Sequence, residues 1–271
     1  MRYLPLLMIY FAYGCATFSG IGESFFVKEK LDLSAAALMM IGVWLTLPWN
    51  IKMVFGQLVD SLPILGSRRK SYIFIAAGLM AAGSILMAGL AGRWPWVISL
   101  GSDNFIYISA SLITVLGLVL QDVVADAMSV EVVERENRPQ GEIDRDLAMV
   151  QLLGRLSLSL GMFLVAGLGG WVAQVVNYST LFLLTLIIPL ISISGSLFVN
   201  VKVPPLKPFN QKVLWGGLVY AVFATLMGVL QFPFSQEIVL VVSLAMVIFL
   251  LRSVTRDVPK PLMGSLIAAQ A

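Results

Sequence analysis

Charged side chains inside long apolar runs are the residues of this sequence that could do chemistry. They are Glu23, Lys52, Asp122, Asp126 and Arg155. An ionisable group at the centre of a membrane-spanning helix costs about 2.5–3.5 kcal/mol on insertion scales, and most such groups mark substrate or ion pathways. We interpret them as groups that bind an anionic substrate, carry a coupling proton or re-form pairs during a conformational change. A structural lock between helices is the alternative.

Two cations and one anion of this set lie at a similar depth if their segments are helical. Lys52 comes eight residues before Asp60, where the second apolar run ends, and at 1.5 Å per residue this is about 12 Å. Arg155 lies about nine residues after Asp146. We expect Lys52 and Arg155 to supply a positive field for an anion, with Asp122 as their partner in the empty site, because pairing offsets the desolvation cost.

Helical spacing places further polar residues beside these charges. Side chains four residues apart share one face of a helix. Such sets are Gln151, Arg155 and Ser159; Lys52, Gly56 and Asp60; and Asp122 and Asp126. We interpret these faces as the lining of a central cavity. The aromatic residues Tyr10, Tyr13, Phe18 and Trp49 could stack on a planar ligand there, with packing or lipid contact as the alternative.

Glu23 stands apart from the other charges, near the outer end of the first apolar run. Lys28 and Lys30 follow within two turns, so Glu23 could pair with one of them or extend its carboxylate to the membrane surface. A role in proton coupling is the alternative.

Membrane-spanning helices are the elements that must position these residues. The chain is 59% hydrophobic and 12% charged, whereas a soluble domain carries about 25% charged residues. A bilayer core requires about 20 apolar residues in a helix. By that measure we predict an all-α integral membrane protein with eight spans and a partial ninth at 262–271. The spans are 4–27, 34–59, 72–92, 104–128, 147–173, 179–201, 213–232 and 237–251.

The distribution of lysine and arginine predicts the orientation in the membrane. Thirteen of these residues fall in the connections on one side and three, Lys28, Lys30 and Arg93, on the other. Because cytoplasmic loops carry the excess of Lys and Arg, the N-terminus is predicted to be cytoplasmic. This bias also explains the net charge of +3 without a nucleic-acid partner. We expect a multi-pass protein of the cell membrane, the inner membrane if the source is bacterial.

Catalytic and metal-binding motifs are missing from the sequence. It has no histidine and a single cysteine, Cys15, so the commonest metal ligand and an intramolecular disulfide are excluded. It contains neither a nucleophile elbow nor a glycine-rich phosphate loop. We therefore predict that the protein is not an enzyme and holds neither a cofactor nor a metal.

The loop after the second span carries a recognisable motif. Residues 56–60, which begin with Gly56 and end with Asp60, are followed by the basic Arg68 and Arg69. This resembles the signature between helices two and three of the major facilitator superfamily. An acid at a membrane boundary can bind basic residues in one state and release them in another, so we interpret this loop as a conformational switch.

Four segments are similar to the folate–biopterin transporter family. They are 26–33, 47–52, 60–72 and 122–131. The resemblance implies twelve helices in two six-helix halves and transport of a pterin-like or other small organic anion with protons. Lys52, Asp60, Arg68, Arg69, Asp122 and Asp126 match motif positions, whereas Met53 stands where the family usually has proline.

Within this framework we divide the chain into a six-helix N-terminal bundle (1–201), a cytoplasmic linker (202–212) and an incomplete start of a C-terminal bundle (213–271). A carrier of this fold binds its substrate between two halves. We therefore expect a fragment or truncated product that does not transport alone, or one completed by a chain that supplies the missing helices. The alternative to a carrier is a non-transporting membrane scaffold or assembly factor, in which neutralising Lys52 or Asp122 lowers abundance rather than flux.

Overall fold

The computed structural model of the chain describes residues 3–31, 33–64, 66–67, 69–199, 211–230, 234, 237–245 and 248. Apart from turns and an isolated bridge between Ile64 and Ser67, the described secondary structure is helical, which confirms the all-α prediction. In chain order the helices are α1 (Leu4–Cys15), α2 (Gly20–Phe26), one π-helical turn (Val27–Leu31), α3 (Ala35–Asn50), α4 (Lys52–Ser61), α5 (Lys70–Ala91), α6 (Pro95–Ile98), α7 (Asp103–Glu131), α8 (Gln140–Val175), α9 (Tyr178–Leu184), α10 (Ile187–Phe198) and α11 (Gln211–Leu230).

Six helical segments of the described chain are long and apolar enough to cross a membrane. They are Leu4–Leu31, Ala36–Ser61, Lys70–Ala91, Asp103–Glu131, Gln140–Val175 and Tyr178–Phe198. They correspond to the first six predicted spans and confirm an integral, multi-pass membrane protein. α11 coincides with the seventh prediction, and residues 237–245 of the eighth are helical. Most of the predicted linker and the apolar segment 262–271 lie outside the described residues.

The chain divides into two compact units, Met1–Ala221 and Val222–Ala271. The described part of the second unit consists of the end of α11, Phe234, the helical residues 237–245 and Ile248. All the site residues discussed below belong to the first unit. The predicted domain limits at 201 and 212 remain a prediction.

Helix α7 lies at the centre of the first unit. It packs along α5 and also contacts α1, α3, α4 and α8. Buried side chains of α1, α5 and α7, among them Ile9, Tyr72 and Met128, form one apolar cluster. Lipid tails are as apolar as these side chains, so van der Waals packing holds the helices together. This packing fixes the helix that carries Asp122 and Asp126.

Glycines allow the first and fifth spans to approach each other closely. A Cβ atom at Gly161 of α8 would lie 2.6 Å from the carbonyl oxygen of Phe11, and one at Gly14 of α1 would lie 2.0 Å from that of Leu158. These neighbours are backbone atoms, which cannot move aside as a side chain can. The two helices therefore require glycine at the points where they touch.

Three of the six spans are interrupted. The first breaks between α1 and α2, where the N–H groups of Ala16 and Gly20 donate to carbonyls three residues back. The second breaks at Ile51, between α3 and α4, three residues after Pro48. The sixth breaks between α9 and α10, close to Pro189. Inside a membrane, irregular backbone is tolerated where it is buried in protein or lines a water-filled cavity.

We expect Gly161→Ala to destabilise the protein and Gly167→Ala, on the same helix, to leave it at least as stable. Overpacking costs about 1–3 kcal/mol, whereas no atom lies within 4 Å of a Cβ added at Gly167. A helical glycine replaced by alanine gains about 0.5–1 kcal/mol. Thermal unfolding of both variants in one detergent measures the difference. A Gly161→Ala variant that melts at the wild-type temperature would contradict the close approach.

Candidate functional site

Lys52 is held between two carboxylates of α7. It is the first residue of α4, directly after the break at Ile51. Its Nζ lies 2.5 Å from Oδ2 of Asp122 and 3.3 Å from Oδ2 of Asp126. The Asp122 side chain is 6% exposed, whereas those of Lys52 and Asp126 are 37% and 36% exposed. One cation and two anions thus form a half-buried group with a formal charge of −1, which we call the Lys52 network.

Tyr10 of α1 completes the Lys52 network. Its hydroxyl donates to Oδ1 of Asp126 at 3.0 Å, so that carboxylate contacts both Tyr10 and Lys52. The sequence pattern assigns Tyr10 only a stacking or packing role, because nothing in an apolar run reveals which tyrosine faces a carboxylate 116 residues away. The network therefore joins α1, α4 and α7.

Two glutamine side chains lie close to the Lys52 network. Gln151 Nε2 donates to Ser129 Oγ at 2.7 Å, and Ser129 Oγ in turn donates to the carbonyl of Asp126 at 2.7 Å. Gln121 is fully buried and donates through Nε2 to the carbonyl of Ile9 at 3.1 Å. The predicted residue Gln151 thus ties α8 to α7, one turn from Asp126.

The structure does not bring Arg155 into the Lys52 network. The preceding residue, Gly154, is buried, and a Cβ atom there would lie 3.0 Å from the Tyr10 ring. Successive residues of an α-helix turn by about 100°, so Arg155 is turned to the side of this contact and is exposed, while its charge still acts on the hydroxyl groups of Tyr10 and Tyr13 of α1. Among the described residues it forms no ion pair. Of the two partners expected for Asp122, the structure therefore shows contact with Lys52 and not with Arg155.

A second group of charges, the Arg69 network, lies where the second, third and fourth spans end. The guanidinium of Arg69, 3% exposed, binds both carboxylate oxygens of Glu131, with Nε at 2.8 and 3.0 Å. Its Nη2 lies 3.0 Å from Asp60 Oδ1, and Nη1 donates to the carbonyl of Val59 at 3.3 Å. Bidentate pairs of this kind are among the strongest hydrogen-bonded ion pairs.

The Arg69 network connects the end of α4, the start of α5 and the end of α7. Burial by itself lowers the pKa of the Arg69 guanidinium, but the hydrogen bonds and charges of Glu131 and Asp60 outweigh it and raise the pKa. The sequence pattern gives no role to Glu131, although this residue ends the segment 122–131.

Two further residues belong to the predicted switch loop. Gly56 lies within α4, and no atom is close to the position that a Cβ would take there. The predicted residue Arg68 lies outside the described residues.

Glu23 has a different partner from those considered in the sequence. The hydroxyl of Tyr107, on α7, donates to its Oε1 at 3.0 Å. Lys28 and Lys30 are exposed, and neither forms a described ion pair with Glu23. The Glu23 carboxyl group therefore faces the inside of the bundle.

Comparisons with known proteins show which family the chain is similar to. The model of the BT1 family matches residues 14–254. The folate-biopterin transporter of Synechocystis sp. is 30% identical over 198 residues, or 73% of this chain and 37% of that protein. Probable folate-biopterin transporter 4 of Arabidopsis thaliana is 28% identical over 216 residues (75% and 40%). Folate transporter 1 of Plasmodium falciparum is 24% identical over 178 residues (66% and 32%). No solved structure gives a significant match.

The chain spans 37% of the length of the Synechocystis relative. The family match extends over most of the chain and includes Lys52, Arg69, Asp122 and Asp126. It confirms the resemblance carried by the segments around these residues. With six helices long and apolar enough to cross a bilayer, this chain is an integral, multi-pass membrane protein that belongs to the BT1 family.

Proposed function

We propose that the complete gene product is a secondary active transporter of a small organic anion of the folate or pterin class, working by alternating access. The relatives named above carry folate or biopterin transport in their names, which supports a carrier rather than an enzyme. The observation that carries the proposal is the position of Lys52, a cation between two carboxylates at a helix break inside the membrane.

The surroundings of Lys52 suit the negatively charged end of such a substrate. The Lys52 side chain is far more exposed than that of Asp122, and an anion reaches it from the open side. Arg155, exposed on α8, supplies a second positive charge to the same ligand.

An aromatic pair next to the Lys52 network suits the planar end of the substrate. The rings of Tyr13 and Trp49 meet edge to face with centroids 6.5 Å apart. Trp49 is 38% exposed and lies one turn before Lys52. Aromatic faces bind flat ring systems by offset stacking. A ligand with a heteroaromatic ring at one end and a carboxylate at the other can use both features.

The charge of the Lys52 network supports coupling to protons. The network carries −1 while empty, so an entering anion increases the negative charge of a weakly solvated site. A proton that enters with the anion offsets this charge. The Arg69 network supplies a contact that can break during the conformational change. Asp60 on α4 and Glu131 on α7 both bind the guanidinium of Arg69, and movement of α4 away from α7 would break one of these two ion pairs.

We expect Lys52→Ala to abolish most of the uptake of labelled folate and biopterin by the complete gene product. Loss of one partner of a hydrogen-bonded charge pair costs about 2–5 kcal/mol, which corresponds to about 30-fold or more in affinity. Uptake is measured at equal membrane abundance, with the exposed Lys30→Ala as the matched control. Uptake by Lys52→Ala at the wild-type rate would contradict the proposal.

One observation supports the scaffold alternative. The Lys52–Asp122 ion pair connects α4 to α7, as a purely structural interaction between helices would. The double variant Lys52→Ala/Asp122→Asn separates the two roles. A lock predicts that abundance falls in each single variant and recovers in the double variant, because the charge of the network, −2 in Lys52→Ala, returns to the wild-type −1. A substrate site predicts that uptake stays lost in the double variant even where abundance recovers.

We expect Glu131→Gln to lower the stability of the protein by about 3–5 kcal/mol, because it leaves part of a buried ion pair uncompensated. Asp103→Asn is the matched control. Asp103 pairs with Arg93, whose side chain is 63% exposed, and exposed pairs contribute about 0–1 kcal/mol. Thermal unfolding in detergent measures both variants. Equal losses would show that the Arg69 network adds no more than a surface pair.

A further inference from the structure

A cavity of about 230 Å³ lies inside the first unit, away from the Lys52 network. It is bordered by the breaks in the first and sixth spans, where Ser19 and Pro189 line it. Besides Ser19, four hydroxyl residues line it from three spans, together with Glu23. The hydroxyl residues are Ser84, Ser111, Thr114 and Thr185. The cavity is large enough for several water molecules.

The hydroxyl groups of the cavity contact one another, the backbone or Tyr107. Thr185 Oγ1 lies 2.8 Å from Ser84 Oγ, and Thr114 donates to the carbonyl of Ala110 at 2.9 Å. Ser111, 7% exposed, has a buried Oγ that lies against the hydroxyl of Tyr107.

Glu23 lines the same cavity, and one of its two carboxylate oxygens, Oε2, has no described hydrogen bond. Tyr107 donates to Oε1, and the described contacts assign no hydrogen bond to Oε2. Tyr107 and Ser111 are four residues apart on α7 and share one face of that helix. The order Ser111, Tyr107, Glu23 therefore places a hydroxyl, a phenol and a carboxyl group next to one another along one wall.

Cations are absent from the described surroundings of Glu23. The sequence of α3 holds no charged residue, and that of α8 holds none after Arg155. On the elements nearer the membrane surface, Glu29 accepts from Tyr178 at 2.7 Å, and Lys28 and Lys30 are exposed. Arg93 and Asp103 pair with each other. Tyr107 is thus the one described titratable group in contact with Glu23.

We propose that Glu23 is the site at which the protein binds its coupling proton, with the hydroxyl-lined cavity as the water-filled route to it. This rests on the proposed transport function and names the coupling site. A carboxylate at membrane depth without a cation is stabilised by taking up a proton. The proton binds Oε2 while Tyr107 remains a donor to Oε1, and deprotonation returns it to cavity water.

Two observations favour Glu23 over the other candidates. The carboxylates of the Lys52 network already accept hydrogen bonds from the Lys52 ammonium group, whereas no cation of the described chain contacts Glu23. A metal ion at Glu23 would require several oxygen ligands, whereas the group in contact with its Oε1 is a hydroxyl that donates its hydrogen. Protonation of Glu23 offsets the negative charge of an entering anion. Because Glu23 does not contact Lys52, the proton and the anion do not compete for the same group.

Infrared difference spectroscopy of the purified protein tests the proposal directly. We expect a pH titration of the wild type to show the carbonyl stretch of a protonated carboxylic acid in an apolar environment. This band is lost in Glu23→Gln, kept in the exposed control Glu29→Gln, and shifted in Tyr107→Phe because a hydrogen bond is removed. A band that persists in Glu23→Gln would overturn the proposal. A band that sodium ions abolish at constant pH would overturn it in favour of a metal-ion site.

Uptake by the complete gene product distinguishes this inference from the proposed function. We expect wild-type uptake of labelled folate to rise as the outer medium is acidified, and Glu23→Gln at equal abundance to lose that dependence while it retains exchange of labelled for unlabelled substrate. Steep pH dependence in Glu23→Gln would refute the coupling site and leave transport standing. Absence of uptake by the wild type would refute transport itself and with it the coupling role.

Discussion

A lysine ammonium group can lie within a membrane-spanning segment only if nearby oxygen atoms replace the water it has lost. In this protein Asp122 and Asp126 provide those oxygens, and because they are one helical turn apart on α7 both reach a single Nζ. Tyr10 adds a hydrogen bond to the second carboxylate. The requirement to keep Lys52 paired thus fixes the positions of α1, α4 and α7 relative to one another.

Packing supplies the precision that this pairing needs. Ion pairs lose most of their value if their atoms move apart by an ångström or two, and in a bilayer only close contact between helices prevents such movement. Gly14 and Gly161 let α1 and α8 touch through their backbones, and α5 lies along α7. The break at Ile51 is compatible with this rigidity because it directly precedes Lys52 and so lies next to the polar network.

α7 connects the three polar groups of the first unit. Tyr107 and Ser111 face the cavity, Asp122 and Asp126 hold Lys52, and Glu131 binds Arg69. Any displacement of this helix changes distances in all three places at once. One long helix with its polar residues at separate depths can therefore link occupancy of a cavity at one end to an ion pair at the other, without a chain of contacts between them.

The sequence by itself determined the helical class, the first six spans and the depth of Lys52 and Asp122, since hydropathy and helix rise are local properties. It also identified the family, through segments that include both residues. Only the tertiary structure decided which side chains meet. Helix rotation leaves Arg155 exposed because Gly154 faces α1, and it turns Glu23 towards Tyr107, a residue 84 positions away. The angle at which each helix faces its neighbours depends on close packing between segments distant in sequence, and the local pattern does not contain it.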